Sequence, residues 1–143
     1  MSQVLIREVF PVAAGAYETA GEASAAIKRK LKQLGVDSGV LRRVSVASYE
    51  VELNLVIHSL GGTIDFSVDE DGVTLLIRDR GPGIPDLDLA MREGWSTAPE
   101  SVRNMGFGAG MGLPNMKRNA DEFDIQSTVG VGTQILMKFH LKK

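Results

Sequence analysis

The sequence predicts an α/β two-layer sandwich, with three helices on one face of a mixed, mostly antiparallel sheet. Three observations carry this prediction. β-patterned runs open the chain, occupy its middle and close it. Two helical patterns follow one another between the first run and the second, and a short third helical pattern separates the two later pairs of runs. With 143 residues the chain has room for one core, so one domain over residues 1–143 is expected.

The first run, VLIREVFPV (Val4–Val12), is rich in β-branched and aromatic residues and reads as a strand. AYETAGEASAAIKRKLKQLG follows, with Ile27, Leu31 and Leu34 at i, i+4, i+7 and Gly35 placed to end it, which predicts an amphipathic helix. DSGVLRRVSVASYEVELNLVIHSLGG starts at Asp37 or Ser38, both good N-cap types, and stops at Gly61-Gly62. About six turns lie between, apolar on more than one side, so this helix should be buried. TIDFSVDEDGVTLLIRD contains two strand patterns, with Asp71-Gly72 as the hairpin signal. An irregular stretch runs from about Gly81 to Gly112. LPNMKRNA then predicts a short helix with its proline in the first turn. EFDIQSTVGVGTQILMKFHLK closes the chain as a second hairpin around Val129–Gly132.

Composition removes several function classes. Hydrophobic residues at 43% and charged residues at 24% mark a globular chain. The net charge of −2 argues against a broad nucleic-acid surface. Without cysteine there is no disulfide, thiolate metal site or cysteine nucleophile. His58 and His140 lack metal-ligand spacing. The opening MSQVLIREVFPV has no signal-peptide pattern, and no apolar run is long enough for a membrane span, so a cytoplasmic location is expected.

Four stretches suggest one site. On the long helix, Glu50, Asn54 and His58 are spaced i, i+4, i+8 and share a face. A solvated face is the ordinary alternative. The chemistry also suits a ladder in which Asn54 offers a carbonyl oxygen to a hard cation and Glu50 orients or deprotonates a nucleophile. In IRDRGPGIPD, Asp79 ends a strand and Gly81-Pro82-Gly83 follows at once. A carboxylate there can accept from an exocyclic amine while the glycines admit a flat ring, although an ordinary turn has the same look. NMGFGAGMGLPNMK (Asn104–Lys117) has glycines at 106, 108, 110 and 112 ahead of a helix start. Four glycines would cost about 2–4 kcal/mol in ordering entropy. Two or three backbone bonds to a charged ligand, at about 1.5–3 kcal/mol each, would offset that. Freed amides together with a helix N-terminus make an anion cradle. In VGVGTQI, Gly130 and Gly132 turn the hairpin and Thr133 follows with a hydroxyl.

Glu50-x-x-x-Asn54, Asp79-x-Gly81-x-Gly83-Ile84, Gly108-x-Gly110-x-Gly112-Leu113 and Gly130-x-Gly132-Thr133 resemble, in order and spacing, the N, G1, G2 and G3 boxes of the GHKL (Bergerat-fold) ATPases, which include gyrase B, histidine-kinase catalytic domains and MutL. The likeness runs from about Ser45 to the C-terminus. Within that superfamily the chain looks most similar to the small anti-sigma-factor serine/threonine kinases that phosphorylate STAS-domain partners. The resemblance implies ATP and Mg²⁺ as cofactors, with Asn54 on the metal and Glu50 as the catalytic carboxylate. It implies that Asp79 binds the adenine amine, with Gly81, Gly83 and Ile84 beside the ring and Thr133 assisting. Gly106, Phe107, Gly108, Ala109, Gly110, Met111, Gly112 and Leu113 would form the lid over the phosphates.

The implied function is an ATP-dependent serine/threonine kinase acting on a regulatory protein, a STAS-domain antagonist or a sigma factor, with a homodimer compatible and no nucleic acid or membrane involved. Arg80, Arg92 and Arg103 would stand near the partner. The alternatives are a non-catalytic, ATP-gated partner-switching module and a stand-alone histidine-kinase-like catalytic domain. The last lacks a helix pair carrying a phosphoacceptor histidine.

Overall fold

The computed structural model describes residues 4–84, 87, 91 and 112–141. Strand β1 spans Val4–Val12, β2 Gly62–Asp69, β3 Gly72–Asp79, β4 Glu122–Thr128 and β5 Gly132–His140. Helix α1 spans Glu22–Gln33, α2 Ser38–His58 and α3 Gly112–Asn119. The strand order is β1-β2-β3-β5-β4, and every neighbouring pair is antiparallel. The α/β sandwich is therefore as expected, but no parallel pair accompanies the antiparallel ones among the described strands. Connectivity explains this. Two successive helices return the chain between β1 and β2, so it re-enters the sheet running the opposite way. β3 and β4 do run in the same direction, but β5 lies between them and pairs with both.

Alternation along the strands assigns their faces. Val73, Leu75 and Ile77 of β3, and Ile135, Met137 and Phe139 of β5, are buried. With Ile64 and Phe66 they form the sheet side of the core. Ile27 and Leu31 of α1, Val44, Ala47, Val51 and Leu55 of α2, and Met116 of α3 close it from the helix side. Each of the larger side chains among them contributes about 1.5–3 kcal/mol when fully removed from water. The other sheet face carries polar pairs, including a bidentate Arg7–Asp65 bridge at 3.0 and 2.6 Å. That bridge holds the Asp65 carboxyl below its usual range.

The first helical stretch is not continuous. Tyr17–Thr19 form a 3₁₀ turn, Gly21 takes the left-handed region at φ 101°, and α1 starts only at Glu22. Gly21 brings no capping side chain, so the cap comes from elsewhere. The carboxylate of Glu52, buried on α2, accepts from Ala23 N at 3.1 Å and Ser24 N at 2.9 Å. Two orphan donors are satisfied, and the charge sits at the positive end of the helix dipole. At the other end, Gly35 N donates to the Lys32 carbonyl and Val36 N to the Leu31 carbonyl, both at 3.1 Å, a Schellman stop. Leu34, expected on the apolar stripe, is consequently 47% exposed, and Val36 packs toward the core instead.

Asp37 is the N-cap of α2, accepting from Gly39 N at 3.0 Å and Val40 N at 3.4 Å. Arg43 of α2 ties down the far end of α3. It donates to the Asn119 carbonyl and to Asp121 Oδ2, each at 3.1 Å. The Asp71-Gly72 signal marks the β2–β3 hairpin, but Gly72 serves another purpose than a left-handed turn. Its φ is not positive, and a Cβ there would meet the Phe139 carbonyl oxygen of β5 at 2.2 Å. Asp69 Oδ1 holds the turn by accepting from Asp71 N and Gly72 N.

Candidate functional site

Glu50, Asn54 and His58 are half-buried on α2, whereas Val51, Glu52, Leu53, Leu55 and Val56 around them are buried. The i, i+4, i+8 line is thus an accessible strip beside the buried face of the helix. Helix α3 lies across this strip. A Cβ at Gly112 would be 3.4 Å from Asn54 Oδ1 and 3.8 Å from Glu50 Oε1. Only a residue without a side chain leaves that space open. Among the described residues, Asn54 makes no side-chain hydrogen bond, so its carbonyl oxygen is free to accept a cation.

The second part of the site forms where α2 ends. Leu60 N donates to the Arg80 carbonyl at 2.6 Å, and Arg80 N to the Gly61 carbonyl at 3.0 Å. These bonds hold the end of β3 against the helix terminus. Gly81 N donates to the Val131 carbonyl at 3.1 Å, and Gly130 N to the Pro82 carbonyl at 2.8 Å. The Gly-Pro-Gly loop and the β4–β5 turn are therefore stitched together by their backbones. Side chains have no room in this seam. At Gly83, with φ 76°, a Cβ would lie 2.5 Å from the Thr128 carbonyl oxygen. At Gly132 it would lie 2.2 Å from the Asp79 carbonyl oxygen.

Asp79 stands at the centre of the seam. Its Oδ1 accepts from Thr133 N at 2.8 Å. Among the described residues, no hydrogen bond reaches Oδ2, which leaves that oxygen for a donor on a ligand. Burial pushes the Asp79 carboxyl above its usual range, against the opposing effect of the Thr133 bond. Thr133 is placed beside Asp79 as expected, but its hydroxyl is already engaged with Ser127 Oγ at 2.8 Å. Ser127 also accepts from Ile84 N at 2.8 Å. It thus joins the loop to the hairpin. His58 is half-buried at the end of the strip, where desolvation lowers its pKa.

Of the predicted residues, Glu50, Asn54 and Gly112 meet at one end, and Asp79, Gly81, Gly83, Ile84 and Thr133 at the other. Leu113 is buried in the core, so what it can offer the site is its backbone. Gly106, Phe107, Gly108, Ala109, Gly110 and Met111, like Arg92 and Arg103, lie outside the described residues. Sequence reasoning missed Ser127 and Asn115. Ser127 was within reach of it, because a hairpin turning at Val129–Gly132 sets Ser127 directly opposite Thr133, as the register shows. Asn115, whose Nδ2 donates to Glu50 Oε2 at 2.7 Å, sits on another element and no local pattern announces it.

Several known proteins resemble this chain. The family model described as histidine kinase-, DNA gyrase B-, and HSP90-like ATPase matches residues 39–143. The serine/threonine-protein kinase RsbT of Bacillus subtilis (strain 168) is 34% identical over 108 residues, covering 73% of this chain and 75% of the relative. The anti-sigma F factor of Geobacillus kaustophilus (strain HTA426) is 34% identical over 117 residues, 78% of this chain and 77% of the relative. That of Clostridium novyi (strain NT) is 30% identical over 126 residues, covering 84% and 85%.

Proposed function

Because the chain belongs to the histidine kinase-, DNA gyrase B- and HSP90-like ATPase family, we propose that it binds ATP with Mg²⁺ and phosphorylates a serine or threonine of a regulatory protein, acting as a kinase like its relative RsbT. The observation that carries this reading is the convergence of Glu50 and Asn54 beneath Gly112, where a Cβ would fill the gap above two side-chain oxygens.

The residues present fit the nucleotide and the metal. Asp79 Oδ2 is the acceptor for the adenine amine, and the seam offers the ring a backbone edge to lie against. Among the described residues no group of three or more His, Asp or Glu side chains could hold a metal. Asn54 alone would hold Mg²⁺, which suits an ion that keeps water and phosphate as its other ligands. Once bound, Mg²⁺ neutralises charge on the phosphates. Glu50 orients the incoming hydroxyl and takes its proton as that oxygen bonds to the γ-phosphorus and the bond to ADP breaks. Positioning carries most of such a reaction, so few side chains are required.

A STAS-domain protein is the partner class we assign, with a sigma factor as the other regulatory protein of this system. Arg80 is exposed beside the Gly81 loop and available to it. Among the described residues no helix is long and apolar enough to cross a membrane. The test is incubation with γ-labelled ATP and a STAS-domain protein from the same genome. Label on serine or threonine, lost in Glu50→Ala, is the expected result. Tight ATP binding with no transfer to a native partner would replace the kinase by an ATP-gated binding module.

A further inference from the structure

Glutamate is a poor choice for a base that must point one way, since holding it in one rotamer costs side-chain entropy. Something must hold it. Asn115 Nδ2 donates to Glu50 Oε2 at 2.7 Å, and Arg118 Nη2 donates to Asn115 Oδ1 at 2.8 Å. A guanidinium has no acceptor and a carboxylate has no donor. The amide can therefore satisfy both neighbours in one orientation only, with oxygen toward Arg118 and nitrogen toward Glu50. The backbone position of Asn115 is secured as well, because its carbonyl accepts from Asn119 Nδ2 at 2.8 Å, and Asn119's own carbonyl is held by Arg43 from α2.

We propose that Asn115 is the positioning residue for Glu50: it ties down Oε2 and leaves Oε1, the oxygen nearer Gly112, to face the reacting hydroxyl. This rests on the reading of Glu50 as the base. It adds that α3, the helix entered at Gly112, aims the carboxylate carried by α2. The chain Arg118–Asn115–Glu50 spans two elements, so any shift of α3 along α2 is transmitted to the base. Misplacement by about 1 Å is enough to cost a factor of 100 in such a step.

The experiment measures kcat for transfer from γ-labelled ATP to the STAS-domain protein, alongside calorimetric Kd for ATP. Asn115→Ala should lower kcat about 10–100-fold while Kd stays within about twofold. Asn115→Asp, which sets a second carboxylate against Glu50, should lower it at least as far. Arg118→Leu, an exposed change that leaves the core alone, should cost about threefold through loss of the orienting bond. In a Glu50→Gln background, Asn115→Ala should cause no further loss. Unchanged kcat in both Asn115→Ala and Arg118→Leu, or an undiminished loss in the Glu50→Gln background, overturns the inference. So does a parallel loss of ATP affinity. If Asn115→Ala does not fold, Arg118→Leu decides alone. A Glu50→Gln enzyme with full activity would instead sink the reading of Glu50 as base, which keeps the two failures apart.

Discussion

The two ends of the site are built by different means. Around Asp79, strands and turns approach so closely that carbonyl oxygens occupy the volume a side chain would need, and four backbone bonds clamp the loop, the helix terminus and the hairpin together. Around Glu50, two helices face each other and the geometry is kept by side chains: Asn115, Arg118 and Arg43. The first end is stiff because it has no spare volume. The second is adjustable, since a shift along a helix pair moves the side-chain bonds without breaking a backbone ladder. A ring needs a fixed slot, whereas a group in transfer needs a carboxylate that can be aimed.

If this contrast is right, adding one methyl group should do very different things at the two ends. Gly132→Ala forces apart β5 and the end of β3, and the expected result is loss of ATP binding in calorimetry with destabilisation of about 3 kcal/mol in denaturant unfolding. Equal stability would break the comparison. Asp79→Asn keeps the shape and removes the charge that accepts the amine, so ATP affinity should fall about 10–150-fold, the equivalent of about 1.5–3 kcal/mol. The same carboxylate sets a pH dependence. Its pKa is raised by burial above the usual 3.8, so acidification should weaken ATP binding from a higher pH than an ordinary aspartate would dictate. Because the folded chain then holds this proton more tightly than the unfolded one, the contribution of Asp79 to stability grows as pH falls, opposite in sign to the loss of ligand. Calorimetry across pH should show the slope in the wild type and not in Asp79→Asn.

Gly112→Ala meets only ordinary contacts at 3.4 and 3.8 Å, so the fold should survive within about 1 kcal/mol. Its methyl group would occupy ligand space, and an affinity loss of about tenfold is expected. The smallest effect sharpens the picture of the stiff end. Ser127→Ala removes one member of the link between Ile84 and Thr133 and should cost about 0.5–1.5 kcal/mol, with ATP affinity falling only a few-fold.

What could be read from the chain follows the same division. The glycines at 83 and 132 were visible because backbone contact excludes a side chain there, and Asp79 was visible because it stands beside them. Strand alternation at Val73–Ile77 and the caps at Gly35 and Asp37 were legible for the same local reason. Asn115 and Arg118 were not, because one asparagine three residues into a helix looks the same whether it faces water or a carboxylate 65 positions away. Glu52 was equally hidden: nothing local distinguishes it from Glu50 two residues earlier, yet one faces the site and the other the first helix. The split at Gly21 was missed because alanine-rich sequence reads as helical on either side of it.

The placement of Glu52 has a practical consequence for anyone dissecting the molecule. The family model matches from residue 39, after β1 and α1, which invites expression of residues 39–143 as the minimal unit. That truncation would remove the Ala23 and Ser24 amides that Glu52 caps, and with them the helix that encloses its carboxylate. The first 38 residues are thus a structural partner that the rest of the chain cannot shed, and hydrogen exchange should find both long helices opening together rather than in turn.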